Sequence, residues 1–226
     1  MSKVVIFGSG QGAKTAFRYL TKDSEHEICA FTADREFIHD DTFLGLPVID
    51  FAELESRFPS SDYKMFLPMG SHSMNRIRQA KYDLCKSKGY ELISYVSSTV
   101  QFRSDLQIGE NCFILQNNAI NFDVKIGNNV TIWSSNQIGD RSVIGDHCWI
   151  TSEVCIAGDV QIGKNCFLAI NCSISNGVKV ADDNFIGANS LITKNTEPKD
   201  VYLIRQTPKA PLNSDKFCLM MNETVN

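Results

Sequence analysis

Residues 138–150 read IGDRSVIGDHCWI. The string repeats itself after six residues: Ile138-Gly139-Asp140, then Ile144-Gly145-Asp146, then Ile150. The two copies part at their fourth position, which is Arg141 in the first and His147 in the second. Carried backward, the step of six meets Ile132, Ile126, Ile120, Ile114 and Ile108; carried forward, it meets Ile156, Ile162, Leu168, Ile174, Val180, Ile186 and Ile192. Every position is aliphatic. Neither a helical period nor simple alternation produces this spacing.

The glycine after the aliphatic recurs at 109, 127, 139, 145, 163 and 187. Four residues after each aliphatic stands a small or β-branched residue or Asn, including Cys112, Asn118, Val130, Asn136, Ser142, Cys148, Cys166 and Cys172. This is the grammar of a parallel β-helix. Each six is a short strand and a turn, and three sixes close a triangular coil with the aliphatic pointing inward. The span 108–192 holds between four and five coils. Stacked coils satisfy one another's backbone hydrogen bonds, so only the two ends need covering. The cysteines at 112, 148, 166 and 172 fall in the small inward slot and read as core filler. Cys155 falls outside it, on an exposed position.

A chain of 226 residues accommodates one large domain or two modest ones. Its net charge of −4 gives no sign of a nucleic-acid partner. The opening MSKVVIFGSG leads directly into a strand and a glycine turn, which is not a secretion signal. No apolar run is long enough to span a membrane. Eight cysteines without a C-x-x-C pair suit a reduced, cytoplasmic protein.

The first ninety or so residues follow another pattern. Strands are expected at 4–7, 27–34 and 63–70, and helices from the glycine turn to about Leu20, near 51–57, and from about Ser73 to Lys88. Alternating strands and helices imply a parallel sheet flanked by helices. GSGQGA (8–13) sits between strand and helix, where backbone N–H groups suit a phosphate. Gly8, Gly10 and Gly12 are therefore candidate nucleotide contacts, and Asp34 ends the second strand about where an acid reaches a ribose hydroxyl. The spacing is G-x-G-x-G rather than G-x-G-x-x-G, and a tight turn alone is the competing reading. A half-sheet of about three strands fits one nucleotide better than a dinucleotide.

The whole resembles the NeuD/PglD-type sugar acyltransferases. The resemblance rests on VIFGSGQGAK (5–14), MGSHSMNRIR (69–78), the repeats, and GANSLITK (187–194). It implies a mixed fold: a small α/β Rossmann-like domain (1–92), a left-handed parallel β-helix (93–200) and a C-terminal tail (201–226). It also implies a homotrimer with sites between subunits, an acyl-CoA donor such as acetyl-CoA, and a nucleotide-linked sugar held by the first domain. The general base of that family is a histidine two residues after the repeat aliphatic; here the position is Asp140, followed by Arg141 where an acidic residue is usual. The ending LIRQTPKAP (203–211) also departs from the family's Gly-x-Pro-Ala-Lys segment.

Residues eighteen apart stack in such a solenoid, so Arg141 lies between Asp123 and Asp159, and Asp140 between Phe122 and Gly158. Asp140 is the candidate for positioning or base, against its alternative as a turn former like Asp146 and Asp105. His147 stacks between Asn129 and Asn165, is expected on the outer surface, and is the less favoured catalytic candidate. Asn118, Ser135 and Asn136 are expected to line the cleft with the sugar, and Gly158, Gly187, Ala188 and Lys194 to accommodate CoA. No metal site is expected: a three-histidine zinc site needs more histidines than the solenoid's one. A hydroxyl acceptor needs a base near neutrality, and an ordinary aspartate, with a pKa of ~3.9, is a poor one. A neutral amine attacks a thioester readily. The residues thus favour N-acylation of an amino sugar, with O-acylation and a non-catalytic sugar-nucleotide binder as alternatives.

Overall fold

The computed structural model describes residues 1–102 and 105–223. The first part is a five-stranded sheet in the order β3-β4-β2-β1-β5. It is built from β1 (Lys3–Phe7), β2 (Glu27–Ala33), β3 (Thr42–Phe43), β4 (Leu46–Asp50) and β5 (Tyr63–Phe66), with helices α1 (Gln11–Lys22), α2 (Leu54–Arg57) and α3 (Arg76–Ser87). All neighbours are parallel except β3 and β4. Val4, Val5 and Ile6 of the central strand are fully buried, as a strand covered on both faces requires. The sheet has two strands more than expected. The β3–β4 hairpin is hidden in the sequence because β3 is two residues long and Pro47 interrupts the apolar run of β4.

The repeats form a triangular solenoid with three parallel faces. The first face stacks Gln107–Ile108, Lys125–Ile126, Val143–Ile144, Gln161–Ile162 and Lys179–Val180. The second stacks Tyr95–Val96, Phe113–Ile114, Thr131–Ile132, Trp149–Ile150, Phe167–Leu168, Phe185–Ile186 and Val201–Tyr202. The third stacks Ala119–Ile120, Gln137–Ile138, Cys155–Ile156, Ser173–Ile174 and Leu191–Ile192. The second face thus begins at Tyr95 and runs on to Tyr202, two residues past the expected domain end. The stacked aliphatics and the four slot cysteines form one continuous core, and Cys155 is exposed.

Each corner has one residue with positive φ, every sixth from Asn111 to Asn189, with Asn or Asp at most of them. These residue types tolerate the left-handed region best after glycine. Arg141 (φ 59°) and His147 (φ 63°) are two members of this series. The glycines after the aliphatics answer to stacking instead. A Cβ on Gly139 would come within 2.5 Å of the Ala157 backbone, and one on Gly145 within 2.7 Å of Gly163.

A second core joins the two parts. Val4, Ile6, Ala16, Leu20, Phe31 and Phe66 of the sheet domain pack with Ile93, Tyr95, Phe113 and Leu115 of the first coils. The corner between the first and second faces is buried under α3 and the loop before it.

Candidate active site

The glycine turn opens on a cavity of about 520 Å³. Gly8, Ser9, Gly10, Gly12, Phe37, His39, Met69, Gly70 and His72 are among its walls. The three glycines are there for different reasons. Gly8 has φ +99°, which an L side chain rarely adopts. Gly12 lets α1 approach the next loop: a Cβ would lie 2.4 Å from the Pro68 carbonyl oxygen. Gly10 has open space, with nothing within 4 Å of a Cβ, so its lack of a side chain leaves room in the cavity. Gly10 is also the N-cap of α1, with no side-chain cap and no acidic residue in the first turn. The helix therefore presents its N–H groups and positive dipole end to whatever enters.

A second cavity of about 330 Å³ shares Gly12, Pro68, Met69, Gly70 and His72 with the first. It continues along α1 through Gln11 and Thr15 to the second solenoid face, where Phe113, Thr131, Trp133 and Trp149 form the far wall. The two indole rings stand 6.2 Å apart, and Trp133 is 38% exposed. The cleft thus runs from a phosphate-suited helix end to an aromatic wall on the repeat domain.

Several expected site residues lie elsewhere. Asp34 does not line the cavity at the glycine turn; its carboxylate is held by Lys81 Nζ at 2.8 and 2.9 Å. Asn118 and Asn136 are fully buried corner residues, not cleft residues. Asn118 donates to the Leu115 and Trp133 carbonyls and accepts from Asn136 N–H; Asn136 donates to Trp133 and accepts from Val154 N–H. Their polar groups close their own corners and stitch each coil to the next. Ser135 is exposed at the same corner, outside both cavities. Gly187 is closed off by the last strand, since a Cβ there would lie 2.6 Å from the Tyr202 oxygen. Gly158 is half-buried, with Asn176 Oδ1 at 3.1 Å from where a Cβ would stand. Ala188 and Lys194 are exposed beside the third-face strands at the far end of the solenoid.

Asp140 is half-buried at the corner between the third and first faces, and lines neither cavity. Its Oδ1 accepts the Phe122 N–H at 3.0 Å, as Asp146 does for Asn128 and Asp182 for Lys164. That is the work of a turn carboxylate. Arg141 makes the expected ladder contact, a two-pronged pair with Asp159 at 2.7 and 2.8 Å.

His147 is buried, at 7% exposure, not on the outer surface. It belongs to a polar ladder at the corner under α3, with Asn111, Asn129 and Asn165. Asn111 donates to Asn129 Oδ1, and Asn129 Nδ2 meets His147 Nδ1 at 2.9 Å. With Asn129 Oδ1 already an acceptor, its amide nitrogen donates, and His147 carries its proton on Nε2. Burial pushes the imidazole pKa below its ordinary value. The Tyr82 ring stands edge-on at 5.6 Å. The surface reading failed because the repeat period places the corner but not the helix that covers it.

The covering is fastened by Arg78, 1% exposed, whose guanidinium donates to the Asn129, His147 and Cys148 carbonyls and lies 5.4 Å over Trp149. Asn75 donates from the same loop to the Asn165 and Cys166 carbonyls. Among the described residues, no group of three or more His, Cys, Asp or Glu is placed to hold a metal. Among the described residues, no helix is long and apolar enough to cross a membrane.

Residues 159–194 match the family model described as bacterial transferase hexapeptide (six repeats). PerB from Caulobacter crescentus, solved with CoA and GDP-perosamine, is similar in structure with a TM-score of 0.77 at 22% identity, covering 89% of this chain and 93% of PerB. The acetyltransferase domain of PglB from Neisseria gonorrhoeae has a TM-score of 0.76 at 16% identity, covering 89% and 96%. The same domain with acetyl coenzyme A bound gives 0.75, at 16% identity and 88% and 94% coverage. This chain has the fold of the NeuD/PglD-type sugar acyltransferases. It is the expected one, a small α/β domain followed by a left-handed parallel β-helix. No curated protein sequence matches the chain. Ser9, Phe37, His39, His72, Trp133 and Trp149 were not singled out from the sequence. MGSHSMNRIR (69–78) carried part of the resemblance, yet nothing in its spacing shows that His72 faces both cavities.

Proposed function

We propose that the protein is an acyl-CoA-dependent acyltransferase that acetylates the amine of a nucleotide-linked amino sugar, in the cytoplasm, within surface-glycan biosynthesis. The observation that carries this is the continuous cleft from the Gly8–Gly12 turn to the Trp133–Trp149 wall, set on a fold shared with structures that hold CoA, acetyl coenzyme A and GDP-perosamine. The diphosphate is placed at the α1 N-terminus, the base beside Phe37 and His39, and the sugar toward the tryptophans. A flat sugar face on an indole and a phosphate on a helix end are the interactions these walls offer.

The active form is proposed to be a homotrimer, as the resemblance implies. Asp140 then has a part only across a subunit boundary, where its carboxylate would hold the acceptor's ammonium group. Gly158, Ala188 and Lys194 remain proposed contacts of the CoA arm on the same terms.

The test is release of free CoA thiol from acetyl-CoA with GDP-perosamine and UDP-glucosamine as acceptors, alongside UDP- and GDP-linked neutral sugars. Acceptor-dependent release with the amino sugars alone supports N-acetylation, and release with the neutral sugars alone replaces it by O-acetylation. Nucleotide-sugar binding by calorimetry without any thiol release would mark a binding protein. Light scattering should give about three times 25.3 kDa, and a clean monomer would remove the shared site.

A further inference from the structure

We propose that His72 is the general base of the transfer reaction, taking the proton from the acceptor nitrogen in the cavity between the two domains. The proposal rests on the acyltransferase reading and gives the base role, for which the sequence offers Asp140, to His72 instead.

Three observations converge on His72. The first is chemical. Of the residues lining the 330 Å³ cavity, His72 alone carries an imidazole, whose ring nitrogens can accept a proton from a substrate and pass it on. In the adjoining cavity the other such residue is His39, which does not reach the second one. On α3, Arg76 is engaged with Asp183, Lys81 with Asp34, and Arg78 with solenoid carbonyls, while α1 carries Lys14, Arg18 and Lys22.

The second observation is position. His72 belongs to both cavities, at their shared wall. A nucleotide diphosphate on the glycine turn projects its sugar past this side chain toward Trp133 and Trp149. The third is how the loop is held. Ser73, Met74 and Asn75 have φ of 52°, 51° and 65°, three successive non-glycine residues in the left-handed region. A non-glycine residue in this region is strained and persists only where the surroundings enforce it. Here they do: Asn75 and Arg78 are pinned to backbone carbonyls of three successive coils. His72 itself stays exposed. A reactive side chain on a loop clamped to the repeat domain is a preorganised one. His147, the solenoid's own histidine, lacks this access: it is buried and committed to Asn129.

The step balances as follows. The acceptor's neutral amine attacks the thioester carbonyl carbon of acyl-CoA. A C–N bond forms and the C–S bond breaks. The nitrogen proton passes to His72 and then to the departing CoA sulfur, leaving an amide and free CoA thiol.

The experiment compares wild type, His72→Gln and His72→Ala with acetyl-CoA and GDP-perosamine or UDP-glucosamine. Both variants should bind GDP or UDP by calorimetry as wild type does, since the diphosphate end is untouched. Their kcat should fall by ~10²–10⁴ with KM little changed. The acidic limb of the kcat/KM profile that reports the base should disappear, and added imidazole should partly restore His72→Ala. Full turnover in His72→Gln, or an unchanged pH profile, overturns the proposal. A separate measurement keeps the test independent of activity. The His72 ring resonances, identified by their loss in His72→Gln, should shift further with the amino-sugar nucleotide than with the nucleoside diphosphate alone. If turnover is absent in wild type but this shift occurs, the acyltransferase reading fails while the placement of His72 stands; if the shift is absent, the placement fails.

Discussion

The glycine turn of the first domain and the glycines of the solenoid use one residue type for opposite ends. In the repeats, the glycine that follows an aliphatic marks a place with no room. The backbone of the next coil already occupies the position of a side chain at Gly109, Gly127, Gly139, Gly145 and Gly163. At Gly10, glycine marks a place kept empty. The same division runs through the asparagines. Those at 118 and 136 spend their polar groups within the solenoid, on their own corners and on neighbouring coils, while the cleft between the domains has Trp, Phe, His, Thr and Gln side chains and bare glycine backbone in its walls. Regularity in this chain belongs to stability, and the candidate site lies where the regular part meets the irregular one.

The contrast can be tested first at the crowded glycines. Gly139→Val forces a side chain into the Ala157 backbone, a clash that no rotamer relieves. Overpacking of this kind costs ~1–3 kcal/mol or more. The variant should lose several degrees of thermal midpoint or fail to accumulate as folded protein, read by calorimetry or circular dichroism. A wild-type melting curve would show that the coils can separate locally.

Gly10→Val is the converse. It should cost no more than the ~1 kcal/mol of a poor N-cap residue on α1, well short of the Gly139→Val effect. Binding of UDP, GDP and dTDP by calorimetry should weaken at least tenfold for whichever nucleotide wild type binds. If wild type binds none of the three, the glycines only make a turn.

Asn136→Ala tests the ladder. It leaves the Val154 N–H without its side-chain acceptor, at ~1–3 kcal/mol, and should lower stability without changing nucleotide affinity.

His147→Asn should have the smallest effect near pH 7, because Asn already serves at the stacked positions 129 and 165. Its signature is in the pH dependence. Burial depresses the folded-state pKa of His147, so the unfolded chain binds the proton first, at ~6.5. That contribution to stability is present above this pH and is lost as pH falls through it toward the folded value. The variant should therefore lose less stability than wild type between pH 7 and 5 in urea titrations. Identical pH curves would mean that His147 is already accessible to protons in the folded state.

The solenoid was readable almost residue by residue because each coil contacts mainly its neighbours, so a local period carries the tertiary structure. The inward aliphatics, the slot cysteines and the Arg141–Asp159 pair all follow from counting by six and eighteen. The sheet domain was readable in outline, but the β3–β4 hairpin was not, since two residues and a proline leave no pattern. The site was least readable. Asp140 was picked out by its place in the repeat and works there as a turn carboxylate; its role across a subunit boundary remains a proposal for Asp140→Asn to test.

The repeat architecture, its core and the glycine turn between strand and helix are thus legible from short-range spacing alone. What only the tertiary structure decided is where the two parts meet. Arg78 and Asn75 reach across about fifty to ninety residues to fasten α3 over one corner of the coil. That contact buries His147, turns Trp133 and Trp149 into the wall of a cleft, and brings His72 opposite them. No local spacing encodes such a meeting, since it depends on how two separately patterned surfaces fit together.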